Sequence, residues 1–156
     1  MHCGPGERDV SPVLWLRAAA GVTALLGVGH LLGNPWTPIA NVEGQRLADA
    51  MRSYHFDAMG LSRSYLDFYQ GFGWMLGVYL LGHAVLFWQL AGLAKTARGI
   101  LLPLVAVLCV EYCLIASIAG IFLFWIPLGM SAAIAACLII AAVSLHRHRP
   151  GTAGLP

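Results

Sequence analysis

Four long apolar runs dominate the pattern of hydrophobic and polar positions along this chain. They cover about residues 13–32, 65–90, 100–124 and 130–145. A helix needs about 20 apolar residues to cross the hydrocarbon core of a bilayer, and these runs come close to that length. We therefore predict an all-α fold, a four-transmembrane-helix bundle that makes residues 1–156 a single integral membrane domain.

The first apolar run also has a competing interpretation as a secretory signal peptide. It carries only Arg17 near its start and His30 near its end. The run is long for the apolar region of a signal peptide, and no small-residue cleavage site follows it. We therefore expect it to be retained as the first membrane helix.

A long polar loop, residues 33–64, separates the first two runs. Its glycine and prolines before residue 39 end the first helix, and Trp36 suits an anchor at the level of the lipid headgroups. Between Asn41 and Met59, apolar residues recur at nearly helical spacing, which predicts an amphipathic helix in the membrane interface. A lid and a plain solvated connection both remain open as interpretations of this helix.

Glycines and prolines indicate where the helices pack and turn. Gly73 and Gly77 are four residues apart in the second run, a spacing that lets a neighbouring helix approach closely. Residues 125–129 contain a proline and a glycine between the third and fourth runs, so we expect a tight turn there.

Basic residues are unevenly distributed between the two ends of the predicted helices. The end that carries both termini collects Arg8, Arg17, Lys95, Arg98, Arg147 and Arg149. Cytoplasmic segments of membrane proteins are enriched in Lys and Arg. We therefore predict cytoplasmic termini and an outward-facing loop over residues 33–64.

The composition of the chain limits the kinds of molecule that we expect it to bind. Hydrophobic residues make up 59% of the chain and charged residues 10%, so membrane lipid is the expected environment. The net charge is only +2, and no basic, aromatic-laced run indicates nucleic acid. Four cysteines, at positions 3, 109, 113 and 137, form no close cluster with histidine. We predict no metal and no cofactor, while self-association into a homo-oligomer is compatible with the pattern.

Glu111 is the most informative polar residue because it lies near the centre of the third run. An ionised carboxylate in hydrocarbon is so costly that the group must be neutral, paired, or in a wet cavity. A neutral carboxylic acid can give a proton to an apolar substrate. The alternative is a packing role in which Glu111 hydrogen-bonds Tyr79 or His83.

Further polar and aromatic residues follow the start of the second run. Asp67 can pair with Arg63 one turn earlier or complement the helix dipole. An aromatic stripe on this helix is compatible with core packing as well as with a binding wall. The candidate catalytic residues are thus Glu111 and Asp67, and the candidate substrate-binding residues are His30, His55, Arg63, Tyr65, Tyr69, Gln70, Trp74, Tyr79 and His83.

The segment 54–73 resembles the signature of an uncharacterised family of small bacterial four-helix membrane proteins. The resemblance covers about residues 20–90 and rests on Tyr54, His55, Phe56, Gly60, Arg63, Ser64, Tyr65, Asp67, Phe68, Tyr69, Gly71, Phe72 and Gly73. It implies a protein of the bacterial inner membrane and gives weight to His55, Arg63, Tyr65, Asp67 and Tyr69. In architecture alone, the chain is also similar to the EXPERA group of sterol isomerases and lipid-binding receptors.

These observations lead to three functional hypotheses. The first is a membrane-embedded pocket for a lipophilic small molecule, with acid/base isomerisation or cyclisation of a terpenoid- or sterol-like substrate. The second is a non-catalytic lipid-binding or accessory membrane subunit. The third is a proton or small-solute transporter, which an apolar fourth helix and the lack of an inverted repeat disfavour. Enzymatic activity stays open, with an isomerase or cyclase favoured.

Overall fold

The computed structural model describes residues 11–33 and 41–147. Over these residues the elements in chain order are α1 (Pro12–Gly33), α2 (Val42–Ser53), β1 (His55–Ala58), β2 (Leu61–Ser64), α3 (Tyr65–Leu93), α4 (Arg98–Phe122) and α5 (Trp125–Arg147). Within the described ranges, α1, α3, α4 and α5 are long and apolar enough to cross a membrane. The predicted all-α fold with four spans is confirmed. The expected anchor Trp36 and the basic residues Arg8 and Arg149 lie outside the described residues.

The described residues form two compact units. The first unit contains residues 11–23 and 83–147, and the second contains residues 24–33 and 41–82. In the first unit, α4 and α5 pack against each other as consecutive helices. Its fully buried large side chains include Leu16, Phe87, Leu101, Tyr112, Ile134 and Leu138.

The connection between α4 and α5 differs from the expected turn at residues 125–129. The chain turns instead at residues 123–124, and Trp125 is already the first residue of α5. Pro127 therefore lies in the first helical turn. The backbone N–H groups of a first turn have no partners within the helix, so a proline there removes no hydrogen bond. The predicted position of the turn was wrong for this reason.

In the second unit, α1 packs closely on α3 through glycine. A Cβ atom added at Gly77 would overlap the side chain of Leu31, and one added at Gly27 would lie 3.1 Å from Leu80 Cβ. His30 Nε2 donates a hydrogen bond of 2.9 Å to the carbonyl oxygen of Gly73. The prediction that Gly73 and Gly77 let a neighbouring helix approach is confirmed.

The segment between α1 and α3 contains a β-hairpin as well as a helix. Asn41 caps α2 by accepting a hydrogen bond of 2.7 Å from the backbone N–H of Gly44. The helix then ends at Ser53, so the amphipathic helix predicted to reach Met59 is confirmed only in its first part.

The hairpin pairs β1 with β2 in antiparallel register, from His55 opposite Ser64 to Ala58 opposite Leu61. Met59 and Gly60 form its two-residue turn, with φ angles of 56° and 84°. Positive φ at both turn positions matches the right-handed twist of paired strands. Asp57 strengthens the turn, because its Oδ1 accepts a 2.6 Å hydrogen bond from the Gly60 N–H.

Candidate functional site

Glu111 and His83 face each other within the first unit. Glu111 lies on α4 and His83 on α3, with Glu111 Oε1 3.8 Å from His83 Nε2. This separation suits an ion pair but is too long for a direct hydrogen bond. The Glu111 side chain is 40% exposed and the His83 side chain 26% exposed. The carboxyl group therefore reaches the surface of the protein beside a partly covered imidazole.

Tyr112 contacts the other ring nitrogen of His83, Nδ1. Its hydroxyl lies 3.2 Å from His83 Nδ1, and the whole residue is 0% exposed. Phe87 packs against both rings, with its centroid 6.0 Å from that of His83 and 5.6 Å from that of Tyr112. The imidazole is thus contacted by side chains from two helices, α3 and α4.

The contact between Tyr112 and His83 Nδ1 is compatible with either tautomer of the imidazole. With a hydrogen on Nδ1, His83 donates to the Tyr112 hydroxyl oxygen, and with a bare Nδ1 it accepts from the Tyr112 hydroxyl. In both cases Nε2 is the ring nitrogen on the side of Glu111.

Asp67, the second candidate acid, belongs to the second unit and caps α3. The backbone N–H of Ser64 donates to Asp67 Oδ2 at 2.8 Å, and the N–H of Asp67 donates to Ser64 Oγ at 3.1 Å. This reciprocal pair is a capping box, which satisfies two N–H groups at a helix start. The structure thus gives Asp67 a helix-capping role.

The expected ion pair between Arg63 and Asp67 is wrong. Among the residues the structure describes, the ion pairs are Arg52 with Asp49 and His83 with Glu111. Arg63 Nη1 makes only a 3.4 Å contact with the carbonyl oxygen of Ser62. Asp67 instead binds the backbone N–H of Ser64. This bond does not require a long arginine side chain to be held in one conformation, as an exposed ion pair would.

Aromatic rings form a continuous series from the hairpin onto α3, which we call the aromatic ladder. Tyr54 stacks on Tyr65 with centroids 5.4 Å apart, and Phe56 lies 5.1 Å from Tyr65 and 5.2 Å from Phe68. Phe68 continues the series to Phe72 at 6.0 Å. The hairpin therefore brings the rings of Tyr54 and Phe56 onto α3.

A groove lies at the end of the aromatic ladder formed by Phe68 and Phe72, in the second unit. It has a volume of about 240 Å³ and is lined by Arg63, Asp67, Phe68, Gly71, Phe72 and Met75. Its walls are mostly apolar, with one cation and one anion among the lining residues. This composition suits a molecule that has a charged end and an apolar end.

The remaining predicted residues have separate positions. His30 bonds the backbone of α3, and His55 Nδ1 lies 3.1 Å from the carbonyl oxygen of Ser53 at the start of the hairpin. Gln70 is partly buried, whereas Tyr69, Trp74 and Tyr79 are exposed. Of the predicted set, Glu111 and His83 are in contact with each other in the first unit.

The predictions from sequence omitted Tyr112, which contacts His83. Tyr112 directly follows Glu111, so it was visible as a polar group in hydrocarbon. Over residues 11–33 and 41–147, no three His, Cys, Asp or Glu side chains are close enough to hold a metal ion.

Comparisons with protein-family models, with curated proteins and with solved structures found no match. The four candidate spans define the class of the protein, a small helical integral membrane protein. The resemblance of residues 54–73 to a bacterial membrane family stays a prediction.

Proposed function

We propose that this protein is an intramembrane acid/base catalyst that isomerises or cyclises a lipophilic, terpenoid- or sterol-like molecule, with Glu111 as the acid. The supporting observation is the 3.8 Å pairing of Glu111 Oε1 with His83 Nε2, backed by buried Tyr112. A carboxyl group beside an imidazole is suited to proton transfer. Asp67 has no part in this proposal because it caps α3.

The proposed reaction needs no second substrate. The protonated Glu111 carboxyl gives its proton to one carbon of a carbon–carbon double bond, which leaves a carbocation on the neighbouring carbon. The carboxylate, or His83 Nε2, then removes a proton from the next carbon, and the double bond shifts by one position. If another double bond attacks the cation first, the same acid initiates a cyclisation. His83 supports either course as a second proton acceptor beside Glu111.

The surroundings of Glu111 favour access from the bilayer. Val107 and Leu114 lie one turn before and one turn after Glu111 on α4, and they are 66% and 58% exposed. The carboxyl group thus opens onto an apolar surface at a position where a bilayer would surround the helix. A substrate dissolved in lipid could approach it sideways, without first entering water.

Deuterium incorporation tests this proposal. The purified protein would be reconstituted in liposomes made from a total lipid extract of the expression host and incubated in D2O buffer. We expect one neutral isoprenoid-like lipid to gain deuterium at a carbon position, detected by mass spectrometry. Glu111→Gln should lower the rate by about 100-fold or more, since it removes the exchangeable proton.

The matched control is Ser117→Ala, a change on the same helix at an exposed hydroxyl that bonds only the Cys113 carbonyl oxygen. It should leave deuterium incorporation unchanged. Equal incorporation by wild type and Glu111→Gln would contradict the proposal, as would a wild-type protein that labels no lipid.

A non-catalytic lipid-binding or accessory subunit is the second candidate. It is supported by the local bonds that already occupy His30, Asp67 and Tyr112 in helix packing and capping. Under this candidate the wild-type protein labels no lipid in D2O. We further propose a location in the bacterial inner membrane with cytoplasmic termini, supported by the basic residues near those ends.

A further inference from the structure

We propose that the groove on α3 binds the headgroup and upper acyl chain of one zwitterionic phospholipid with a primary amine, namely phosphatidylethanolamine. This site is separate from the acid/base pair, because the groove-lining residues all belong to the second unit. The inference does not rest on the proposed catalytic function.

The helical repeat explains why a groove exists at this place. Asp67, Gly71 and Met75 form one row along α3 at intervals of four residues, and Phe68 and Phe72 form the adjacent row. The central position of the first row has no side chain, and a Cβ atom added at Gly71 would meet nothing within 4 Å. The missing side chain leaves a depression with two phenyl rings as one wall. The row spans roughly 12 Å along the helix axis, enough for the first part of an acyl chain.

The charges at the groove match both ends of an ethanolamine headgroup. Arg63 is exposed and makes no ion pair with Asp67, so its guanidinium can bind a phosphate. Asp67 uses Oδ2 for the cap, so Oδ1 keeps its capacity to accept a hydrogen bond from an ammonium group. Neither a phosphate alone nor a quaternary ammonium would offer Asp67 Oδ1 a hydrogen-bond donor.

The depth of the two ends also fits a lipid. Arg63 belongs to the hairpin and Asp67 to the first turn of α3, where the chain passes from polar residues into an apolar span. The opposite end of the groove, at Phe72 and Met75, is apolar. A phospholipid in a bilayer has the same order, with its charged headgroup at the interface and its chains in the hydrocarbon.

Native mass spectrometry of the detergent-solubilised protein tests the site. The protein would be mixed with dioleoyl forms of phosphatidylethanolamine, phosphatidylglycerol or phosphatidylcholine in separate titrations. We expect one retained phosphatidylethanolamine per chain, with affinity about tenfold above that for each of the other two lipids. Equal retention of the three lipids would overturn the proposal.

Four variants at three positions separate the contributions of the cation, the carboxylate and the groove itself. Arg63→Gln should weaken retention of phosphatidylethanolamine and phosphatidylglycerol alike, by about tenfold, whereas Arg63→Lys should keep most of it. Asp67→Asn keeps an oxygen for the cap but loses the charge, so it should remove the preference for the amine headgroup. Gly71→Leu should fill the groove and abolish retention of the bound lipid.

The matched control for Gly71→Leu is Gly82→Leu, at a second α3 glycine where an added Cβ would also meet nothing within 4 Å. It lies outside the groove and should retain phosphatidylethanolamine as the wild type does. If Gly71→Leu fails to fold, the hairpin variant Arg63→Gln still tests the site. Retention that is unchanged in Gly71→Leu or in Arg63→Gln would overturn the proposal.

Discussion

At the scale of single residues, the side chains around His83 restrict the orientation of its ring. The Tyr112 hydroxyl lies 3.2 Å from Nδ1, and Nε2 is on the side of Glu111. A rotated ring would lose both contacts. The orientation of the imidazole therefore depends on a buried tyrosine.

Tyr112→Phe tests this dependence. The substitution keeps the ring that packs on Phe87 but leaves His83 Nδ1 without its hydrogen-bond partner. We expect a loss of about 1–3 kcal/mol in the free energy of unfolding, seen as a lower midpoint of thermal unfolding in detergent.

Tyr79→Phe is the matched control, since this hydroxyl is carried by a side chain that is 62% exposed. Its unfolding midpoint should equal that of the wild type. A Tyr112→Phe protein as stable as Tyr79→Phe would show that the hydrogen bonds at His83 contribute little.

At the scale of elements, close packing of α1 on α3 depends on the absence of a side chain at Gly77. The Leu31 side chain occupies the space that a Cβ atom there would need. Overpacking of a filled site typically costs about 1–3 kcal/mol, more than the gain of about 1 kcal/mol from replacing a helical glycine with alanine.

We therefore expect Gly77→Ala to lower the thermal unfolding midpoint in detergent. Gly82→Ala, on the same helix with open space at its Cβ, should leave the midpoint unchanged or raise it. The opposite order of the two variants would mean that Leu31 moves aside at little cost.

Sequence predicted the elements unequally well, for physical reasons. The spans followed from the length of apolar runs, because hydrocarbon tolerates few alternatives to a helix. The hairpin was missed because its strands are only four residues long and its turn is Met59–Gly60, without the Asn or Asp that usually marks such a turn. Pro127 was taken for a turn residue because sequence alone does not distinguish a first helical turn from the loop before it.

At the scale of the whole molecule, Glu111 was found from sequence because a carboxyl group in hydrocarbon is costly wherever the helices lie. Its pairing with His83 was one of two alternatives, since helix rotation is not fixed by spacing. The capping box of Asp67 with Ser64 was not predicted, because it depends on the backbone geometry that Ser64 adopts before α3.

The predicted topology can be measured with reporter fusions. Green fluorescent protein at the carboxyl terminus should fluoresce, because we expect that terminus in the cytoplasm. Alkaline phosphatase fused after Met59, in a chain truncated there, should be active, because the hairpin is expected on the outer side. A dark fluorescent fusion together with an inactive phosphatase fusion would reverse the orientation.

The exposed tip of the hairpin is also a suitable site for a fluorescent label. The Met59 side chain is fully exposed, and loop tips of this kind tolerate change better than the elements beside them. Made together with Cys3→Ser, a Met59→Cys variant would carry a maleimide dye at the hairpin tip, while Cys109, Cys113 and Cys137 lie within spans α4 and α5. Quenching of this dye by a lipid-attached quencher would report in real time how close the hairpin lies to the membrane surface.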